Sequence, residues 1–184
     1  MKHSASKLDE RSSPMKKRRL PTSLLGAKAK VETKKTIKKS SFSLSYSQKT
    51  ALDHILAGKS VFFTGAAGSG KSFIINLLRD FLELKELSSI LSVTATTGIA
   101  ACNVSGMTLH SWAGVGLGKE DVSVIVGKLL RSNSDAAKRW KSTKILVIDE
   151  ISMLSAEMFD KVSEVGKRMR NNQAPFGGLQ VCNS

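Results

Sequence analysis

The chain has 184 residues, with 29 Lys and Arg against 15 Asp and Glu and a formal net charge of +14. That length fits one domain, or one domain with a tail, and excludes a two-domain enzyme. No window approaches the roughly 18 consecutive apolar residues of a membrane span. The two cysteines, Cys102 and Cys182, exclude a disulfide framework and a structural zinc site. The sequence therefore predicts a soluble protein of a reducing compartment, with no membrane partner.

The positive charge is concentrated at the N-terminus. Residues 1–40 carry 13 Lys and Arg against 3 Asp and Glu, a net charge of +10 that leaves +4 for the other 144 residues. They contain no aromatic residue and only six Leu, Ile and Val, which is too little apolar surface to offset the entropy of folding. We therefore expect a disordered basic tail at 1–43 and a globular domain at 44–184.

The tail contains a dense run of cations, Lys16–Arg19, between Pro14 and Pro21. Such a run is typical of a nuclear import signal, and it predicts a nuclear location. An arm that binds nucleic-acid phosphates and a solubilising tail without a dedicated partner stay open as alternatives. A mitochondrial location also stays open, although the acidic pair Asp9 and Glu10 is atypical of a presequence.

The first element predicted in the domain is a helix that begins at Ser45 or Ser47. The spacing from Ser45 to Gln48 is that of a capping box, in which the two side chains satisfy the first backbone N–H groups of a helix. Apolar residues at helical spacing then supply a face to bury: Ala51, Leu52, Ile55 and Leu56.

A phosphate-binding pattern follows between a strand and a helix. The apolar run 61–63 predicts a fully buried parallel strand, Gly65–Ser72 matches G-x-x-x-x-G-K-[ST], and residues 73–82 keep helical apolar spacing. Glycines let backbone N–H groups approach phosphate oxygens, and the start of a helix favours the same anion. Lys71 would bind the β- and γ-phosphates of ATP, and Ser72 would bind Mg²⁺. The full nucleotide cradle is predicted to be Gly65, Ala66, Ala67, Gly68, Ser69, Gly70, Lys71 and Ser72.

Two more apolar runs, 90–94 and 145–148, predict further buried strands. The second run ends in Asp149 and Glu150, and the carboxyl ends of parallel strands are where ligands bind in an open sheet. We expect Asp149 to hold Mg²⁺ and Glu150 to orient or deprotonate the water that attacks the γ-phosphate. The alternation of strands with helical stretches, including an amphipathic helix at 155–170, predicts an α/β fold with a parallel sheet.

Four blocks together resemble one family. They are 45–49, Gly65–Ser72, Thr94–Gly114 and Ile148–Met153, and the most specific stretch is Gly106–Gly114, which a generic ATPase has no reason to carry. The chain is similar to the N-terminal motor domain of the petite-integration-frequency (Pif-type) DNA helicases of superfamily one, from about residue 44 to residue 181. The resemblance implies a P-loop NTPase (RecA-like) parallel sheet flanked by helices.

The resemblance also implies functions for residues. Gln48 matches the glutamine that reads the adenine edge, and Asp149 and Glu150 match the metal-binding and catalytic carboxylates. Candidate contacts to single-stranded DNA, by match to segments that line the strand, are Thr97, Gly98, Thr108 and His110. Trp112 has the chemistry to stack a base, with core packing as the alternative for Trp112 and for His110. The implied activity is an ATP- and Mg²⁺-dependent 5′-to-3′ DNA helicase that acts on single-stranded and forked DNA in repair, recombination and telomere maintenance.

The chain departs from the family pattern at its C-terminal end. In the family, the segment matching Gly177–Val181 leads into a strand and a Gly-Asp-x-x-Gln-Leu-Pro-Pro block, whereas here it is followed by Cys182, Asn183 and Ser184. We expect a C-terminally truncated, partial motor domain that lacks a central strand and is inactive in unwinding by itself. A second motor domain is expected in cis in a full-length product. A different P-loop ATPase and a non-catalytic DNA- or ATP-binding fragment stay open as alternatives.

Overall fold

A parallel five-stranded sheet forms the centre of the computed structural model, which describes residues 44–66 and 68–184. The spatial order of the strands is β1-β5-β4-β2-β3, and every neighbouring pair is parallel. The strands are β1 (Val61–Phe62), β2 (Leu91–Ala95), β3 (Met107–Thr108), β4 (Ile145–Asp149) and β5 (Gln180–Asn183). The predicted α/β class with a parallel sheet is confirmed.

Helices flank both faces of this sheet. They are α1 (Tyr46–Leu56), α2 (Lys71–Leu84), α3 (Gly98–Asn103), α4 (Leu109–Ala113), α5 (Val122–Ser132), α6 (Asp135–Ser142) and α7 (Ala156–Met169). Short 3₁₀ turns lie at Ser88–Ile90, Ile151–Met153 and Pro175–Gly178. Across residues 44–66 and 68–184, none of the helices has the length and apolar character needed to span a membrane.

The start of α1 confirms the predicted capping box. The Ser45 side chain accepts a hydrogen bond from the backbone N–H of Gln48 at 3.3 Å, and the Gln48 side chain accepts one from the backbone N–H of Ser45 at 3.0 Å. Because both orphan N–H groups are satisfied reciprocally, the helix begins at Tyr46 rather than farther along the serine-rich stretch.

Alternating side chains of β4 divide the hydrophobic core between the two faces of the sheet. Ile145 and Val147 pack with residues of α1, α2 and α3, whereas Leu146 and Ile148 pack with residues of α4, α5, α6 and α7. All five β4 residues are buried, as expected for a central parallel strand covered on both faces. The end of β4 is therefore held rigidly, with Asp149 as its last residue.

The prediction that run 61–63 is a fully buried strand is wrong. β1 contains only Val61 and Phe62, pairs with β5 alone among the described residues, and leaves Phe62 65% exposed. A continuous apolar run is compatible with a central or an edge position, because the periodicity of a sequence carries no information about strand order.

The expected loss of a central strand is also contradicted. β5 lies between β1 and β4 and pairs with both, with Val181 and Cys182 buried. Four residues suffice to place this strand because each neighbour supplies backbone partners and each face supplies apolar contacts. The second predicted strand is confirmed with a shift of one residue, since Ile90 belongs to the preceding 3₁₀ turn.

Candidate functional site

The loop that joins β1 to α2 carries the phosphate-binding pattern. Gly68 and Gly70 have φ angles of +80° and +87°, a region that residues with a Cβ rarely adopt. Most of the loop is exposed, and it leads directly into the first turn of α2. Ala67 lies outside the described residues. The remaining predicted members of the cradle follow one another around the turn at the carboxyl end of β1.

Lys71 reaches back over this loop. Its Nζ donates to the carbonyl oxygen of Gly65 at 2.7 Å and to that of Ala66 at 3.4 Å. These partners are neutral, and no carboxylate of residues 44–66 or 68–184 forms an ion pair with this ammonium. An incoming phosphate would offer that ammonium a charged acceptor, which makes a stronger hydrogen bond than a carbonyl does.

The first turn of α2 adds to the positive character of the loop. It contains no acidic residue, and α2 has 14 residues, so the positive end of its dipole faces the loop without a compensating side chain. Ser72 is exposed at the second position of the helix. Its hydroxyl is therefore accessible to a metal ion or to a phosphate oxygen.

Gln48 connects α1 to the same loop. While its oxygen accepts from Ser45, its Nε2 donates to the carbonyl oxygen of Ser69 at 3.0 Å. A Cβ added to Gly70 would lie 2.5 Å from this Nε2, so the glutamine packs closely on the turn. The glutamine predicted from the resemblance to read adenine is thus beside the loop, with both polar atoms of its amide in use.

The two predicted carboxylates lie at the end of β4. Asp149 is 7% exposed and accepts a hydrogen bond from the Ser184 hydroxyl through Oδ1, whereas Glu150 is exposed. Glu150 has a φ angle of +56°, an uncommon conformation for a residue with a long side chain. One carboxylate is therefore held against the sheet, and the next one is free to reach solvent or a ligand.

This donor set fits ATP with Mg²⁺. Exposed loop N–H groups, a lysine and a helix start suit a chain of phosphates, and the Ser72 hydroxyl and the Asp149 carboxylate are hard oxygen donors. The described residues contain no group of three or more His, Cys, Asp or Glu able to hold a metal ion. Mg²⁺ bound with a nucleotide needs no such group, because it takes one or two protein oxygens together with phosphates and waters.

Residues predicted to contact DNA lie at the ends of β2 and β3. Thr97 caps α3 by accepting from the backbone N–H of Ala100, and Thr108 caps α4 by accepting from that of Ser111. Gly98 is exposed at the first position of α3. Since β2 and β3 are parallel neighbours, their final residues come together at the carboxyl end of the sheet. Each threonine hydroxyl still has a proton to donate to a phosphate oxygen.

The stacking function proposed for Trp112 is not supported. Its side chain is 1% exposed and packs against Trp140, with ring centroids 4.5 Å apart. Of the two expectations for Trp112, base stacking and core packing, the structure matches core packing, because α4 turns this residue into the core. His110 on the same helix is half-buried, so it retains one face toward solvent.

Sequence reasoning missed Thr96, the residue that joins the two groups of candidate site residues. Its backbone N–H donates to the Asp149 carbonyl at 3.3 Å, and its hydroxyl donates to the Glu150 carbonyl at 3.0 Å. The end of β2 is thereby tied to the strained residue after β4. A hydroxyl directly after one buried strand, when another strand ends in an acidic pair, is the signal that was available in the sequence.

The sheet is parallel, a glycine loop and a lysine-serine pair join a strand to a helix, and a carboxylate lies at the end of a central strand. Together these features define a P-loop NTPase domain. Comparisons with known proteins specify the class further. The sequence model of the PIF1-like helicases matches residues 43–183. The chain belongs to the PIF1-like helicase family.

Individual relatives agree with this assignment. The chain is 49% identical over 140 residues to the ATP-dependent DNA helicase PIF1 of Emericella nidulans, covering 73% of this chain and 18% of that protein. The crystal structure of the Pif1 helicase from Candida albicans aligns with a TM-score of 0.72 and 42% identity, over 77% of this chain and 32% of that one. The Bacteroides Pif1 helicase in complex with ADP-AlF3 and ssDNA aligns with a TM-score of 0.62 and 27% identity, over 77% of this chain and 32% of that one. The chain thus spans less than a fifth of the length of the Emericella protein.

Proposed function

We propose that this chain forms the ATP-binding motor portion of an ATP-dependent DNA helicase. The observation that carries the proposal is the position of Gly65–Ser72 and of the pair Asp149–Glu150, both at the carboxyl ends of strands in one parallel sheet. Family membership supports the same function, and the similar Bacteroides protein is a helicase bound to a nucleotide analogue and single-stranded DNA.

In this proposal the loop binds the phosphates of ATP. Backbone N–H groups of the loop and of the first turn of α2 cradle them, while the Lys71 ammonium exchanges the Gly65 carbonyl for a phosphate oxygen. Ser72 and Asp149 are the residues that would hold Mg²⁺, which when bound neutralises charge that develops on the phosphates. Glu150 orients or deprotonates the attacking water, since its side chain is exposed at the carboxyl end of the same sheet.

Single-stranded DNA is the proposed partner at the ends of β2 and β3. The hydroxyls of Thr97 and Thr108, the backbone at Gly98 and the ring of His110 would contact phosphates, which positions a strand without reading its sequence. Thr96 connects this edge to the backbone of Glu150, so DNA binding and the catalytic carboxylate share a hydrogen-bonded link. Movement in the 5′-to-3′ direction, action on forked DNA and a function in repair, recombination and telomere maintenance complete the proposal, on family resemblance.

A nuclear location is part of the proposal. It rests on the basic run Lys16–Arg19, which lies outside the described residues. The run predicts import of a fluorescently labelled chain, and its replacement by four alanines is expected to abolish nuclear accumulation.

Binding of a fluorescent ATP analogue to the purified 184-residue chain tests the nucleotide function. With Mg²⁺ present, Lys71→Ala should raise the dissociation constant at least about 30-fold, because charge-assisted hydrogen bonds to phosphate contribute roughly 2 kcal/mol or more. Lys141→Ala removes an equal charge from an exposed position on α6 and should change the affinity by less than about twofold.

Adding a thymidine oligonucleotide to the same titration tests the DNA function. A motor in which the two ligands are linked predicts that the oligonucleotide shifts the nucleotide affinity, and that the nucleotide shifts DNA affinity by the same factor. Equal nucleotide affinity in wild type and Lys71→Ala would contradict the nucleotide site. Nucleotide affinity that is indifferent to DNA would contradict the linked motor.

A further inference from the structure

A cavity lies at the edge of the sheet opposite to the phosphate loop. The loop follows β1 at one edge of the strand order, whereas the cavity, about 350 Å³ in volume, lies beside β2 and β3 at the other. It forms because β2 pairs with β4 along its full length but pairs with β3 only at Thr94 and Ala95. The backbone of 91–93 therefore lines an open groove instead of meeting another strand.

Two arginines border the groove, one from each face of the sheet. Arg79 of α2 donates to the backbone carbonyl of Val104 and to the side-chain oxygen of Asn76, and Arg139 of α6 donates to the carbonyls of Ser111 and Trp112. All of these acceptors are neutral, so neither guanidinium is paired with a carboxylate in the described chain. Each also keeps N–H groups beyond those used, because a guanidinium has five.

The rest of the lining suits an anion. It contains no Asp or Glu, and Ser88 and Ser105 contribute hydroxyls, whereas the Ser92 hydroxyl is hydrogen-bonded to that of Thr143. Ser88 and Ser105 are exposed, and their hydroxyls make no hydrogen bond within the described residues. Trp112 also lines the cavity, and its buried indole N–H has no acceptor in the described part of the chain. Two guanidinium groups without a carboxylate partner therefore border the same groove as three free donors, the hydroxyls of Ser88 and Ser105 and the Trp112 indole N–H.

We propose that this groove is a second phosphate-binding site, separate from the nucleotide loop. Arginine suits phosphate because its planar fork donates two parallel hydrogen bonds to two oxygens of one phosphate group. The backbone carbonyls that hold the two guanidinium groups fix their positions before a ligand arrives. The volume lies within the range of small-ligand pockets and admits one phosphate group with its attached sugar or ester.

Two kinds of ligand would bring a phosphate group to this groove: a nucleic-acid backbone and a free phosphate compound. Met107 lines the groove and precedes Thr108, which belongs to the proposed DNA edge. A strand that crosses the ends of β2 and β3 would thus pass close to the groove. The experiment must distinguish this source from a small phosphorylated molecule.

Residue-resolved NMR of the 15N-labelled 184-residue chain tests the proposal. Sodium phosphate is titrated against sodium chloride of matched ionic strength, and an eight-residue thymidine oligonucleotide is titrated in parallel. The reporters are the Trp112 indole N–H and the amides of Ser92 and Gly106, all at the groove. Signals of Gly68 and Ser72 in the phosphate loop serve as an internal record of binding at the nucleotide site.

A pair of matched variants gives the titration its control. Ser88→Glu puts a carboxylate at the mouth of the groove without removing a hydrogen bond, and Ser123→Glu makes the same substitution at an exposed position on α5. We expect saturable shifts of the groove reporters in wild type and in Ser123→Glu. The apparent affinity should fall at least about fivefold in Ser88→Glu, through like-charge repulsion.

Each outcome decides the proposal. Shifts of the groove reporters with the oligonucleotide identify the DNA backbone as the source, and shifts with phosphate alone identify a free phosphate compound. Groove reporters that stay still in both titrations, while Gly68 and Ser72 respond, would overturn the second site and leave the nucleotide site intact. Equal responses in Ser88→Glu and Ser123→Glu would overturn it as well.

Discussion

The predicted site residues lie in two regions that are built differently. They are the proposed nucleotide end, around the turn after β1, and the proposed DNA end, after β2 and β3. At the nucleotide end, Lys71 is held by two exposed contacts that a ligand can replace, and Ser72 is exposed. At the DNA end, Thr97 and Thr108 cap helices, and Trp112 is part of the core. Under the proposed function, side chains of the first kind only bind the ligand. Those of the second kind also hold the fold, so substitutions there change stability before they change binding.

The largest effect is expected at Trp112. Trp112→Ala removes a buried ring in contact with Trp140 and should lower the free energy of unfolding by about 3–5 kcal/mol. Urea denaturation followed by circular dichroism measures the loss. Trp112→Phe keeps an apolar ring and should lose less. A variant Trp112→Ala that is as stable as wild type but weakly bound to DNA would restore the stacking interpretation.

The second effect concerns the pH dependence of stability, to which Cys182 and Cys102 are expected to contribute differently. Burial raises the pKa of the Cys182 thiol on β5 to about 11, from 9.0, while Cys102 on α3 is exposed. The Cys182 thiol loses its proton at a lower pH in the unfolded chain than in the folded chain. The free energy of unfolding therefore keeps its full value below about pH 9 and falls as the pH rises toward 11. The predicted loss is about 2–3 kcal/mol.

Unfolding free energies at pH 8 and pH 11 test this difference between the cysteines. The dependence on pH should be smaller in Cys182→Ala than in wild type, since the titrating thiol is gone. Cys102→Ala should keep the dependence of wild type. The same slope in all three proteins would show that the Cys182 thiol is not protected.

A third effect concerns the two helix caps at the DNA end. Thr97→Ala and Thr108→Ala should each lower the free energy of unfolding by about 1 kcal/mol, the usual contribution of an N-cap side chain. Thr97→Ser and Thr108→Ser keep an oxygen acceptor and should recover most of it. Thermal denaturation of the four variants provides the comparison, and alanine variants with wild-type stability would contradict the dual function of these threonines.

The smallest effect on stability is expected at the nucleotide end. Lys71→Ala removes contacts to the carbonyls of Gly65 and Ala66 that are exposed, so the free energy of unfolding should change by less than about 0.5 kcal/mol. The same denaturation assay measures it. A loss as large as that of a helix cap would show that Lys71 also holds the fold, and the contrast between the two ends would disappear.

Local patterns predicted the parts of this molecule that short-range chemistry determines. The capping box at Ser45, the strand that ends at Asp149 and the helix after Lys71 follow from residue types within one or two turns of each other. Each of these features depends on contacts between near neighbours in the sequence, and such contacts are visible in the sequence itself.

Features that depend on strand order could not be predicted in this way. Phe62 is exposed because β1 lies at an edge, and Trp112 is buried because α4 packs on α6. The link from Thr96 to Glu150 joins residues 54 positions apart, which only the pairing of β2 with β4 brings together. The cavity between Arg79 and Arg139 is likewise a product of tertiary structure.

The central claim is that the turn between β1 and α2 binds the phosphates of a nucleotide. A crystal structure of the chain with Mg²⁺ and a non-hydrolysable ATP analogue measures this directly. We expect phosphate oxygens within hydrogen-bond distance of the amides of 68–72, with the Lys71 ammonium moved from the Gly65 carbonyl to a phosphate. A well-ordered domain whose turn is empty, or whose lysine still contacts that carbonyl beside a bound nucleotide, would contradict the claim.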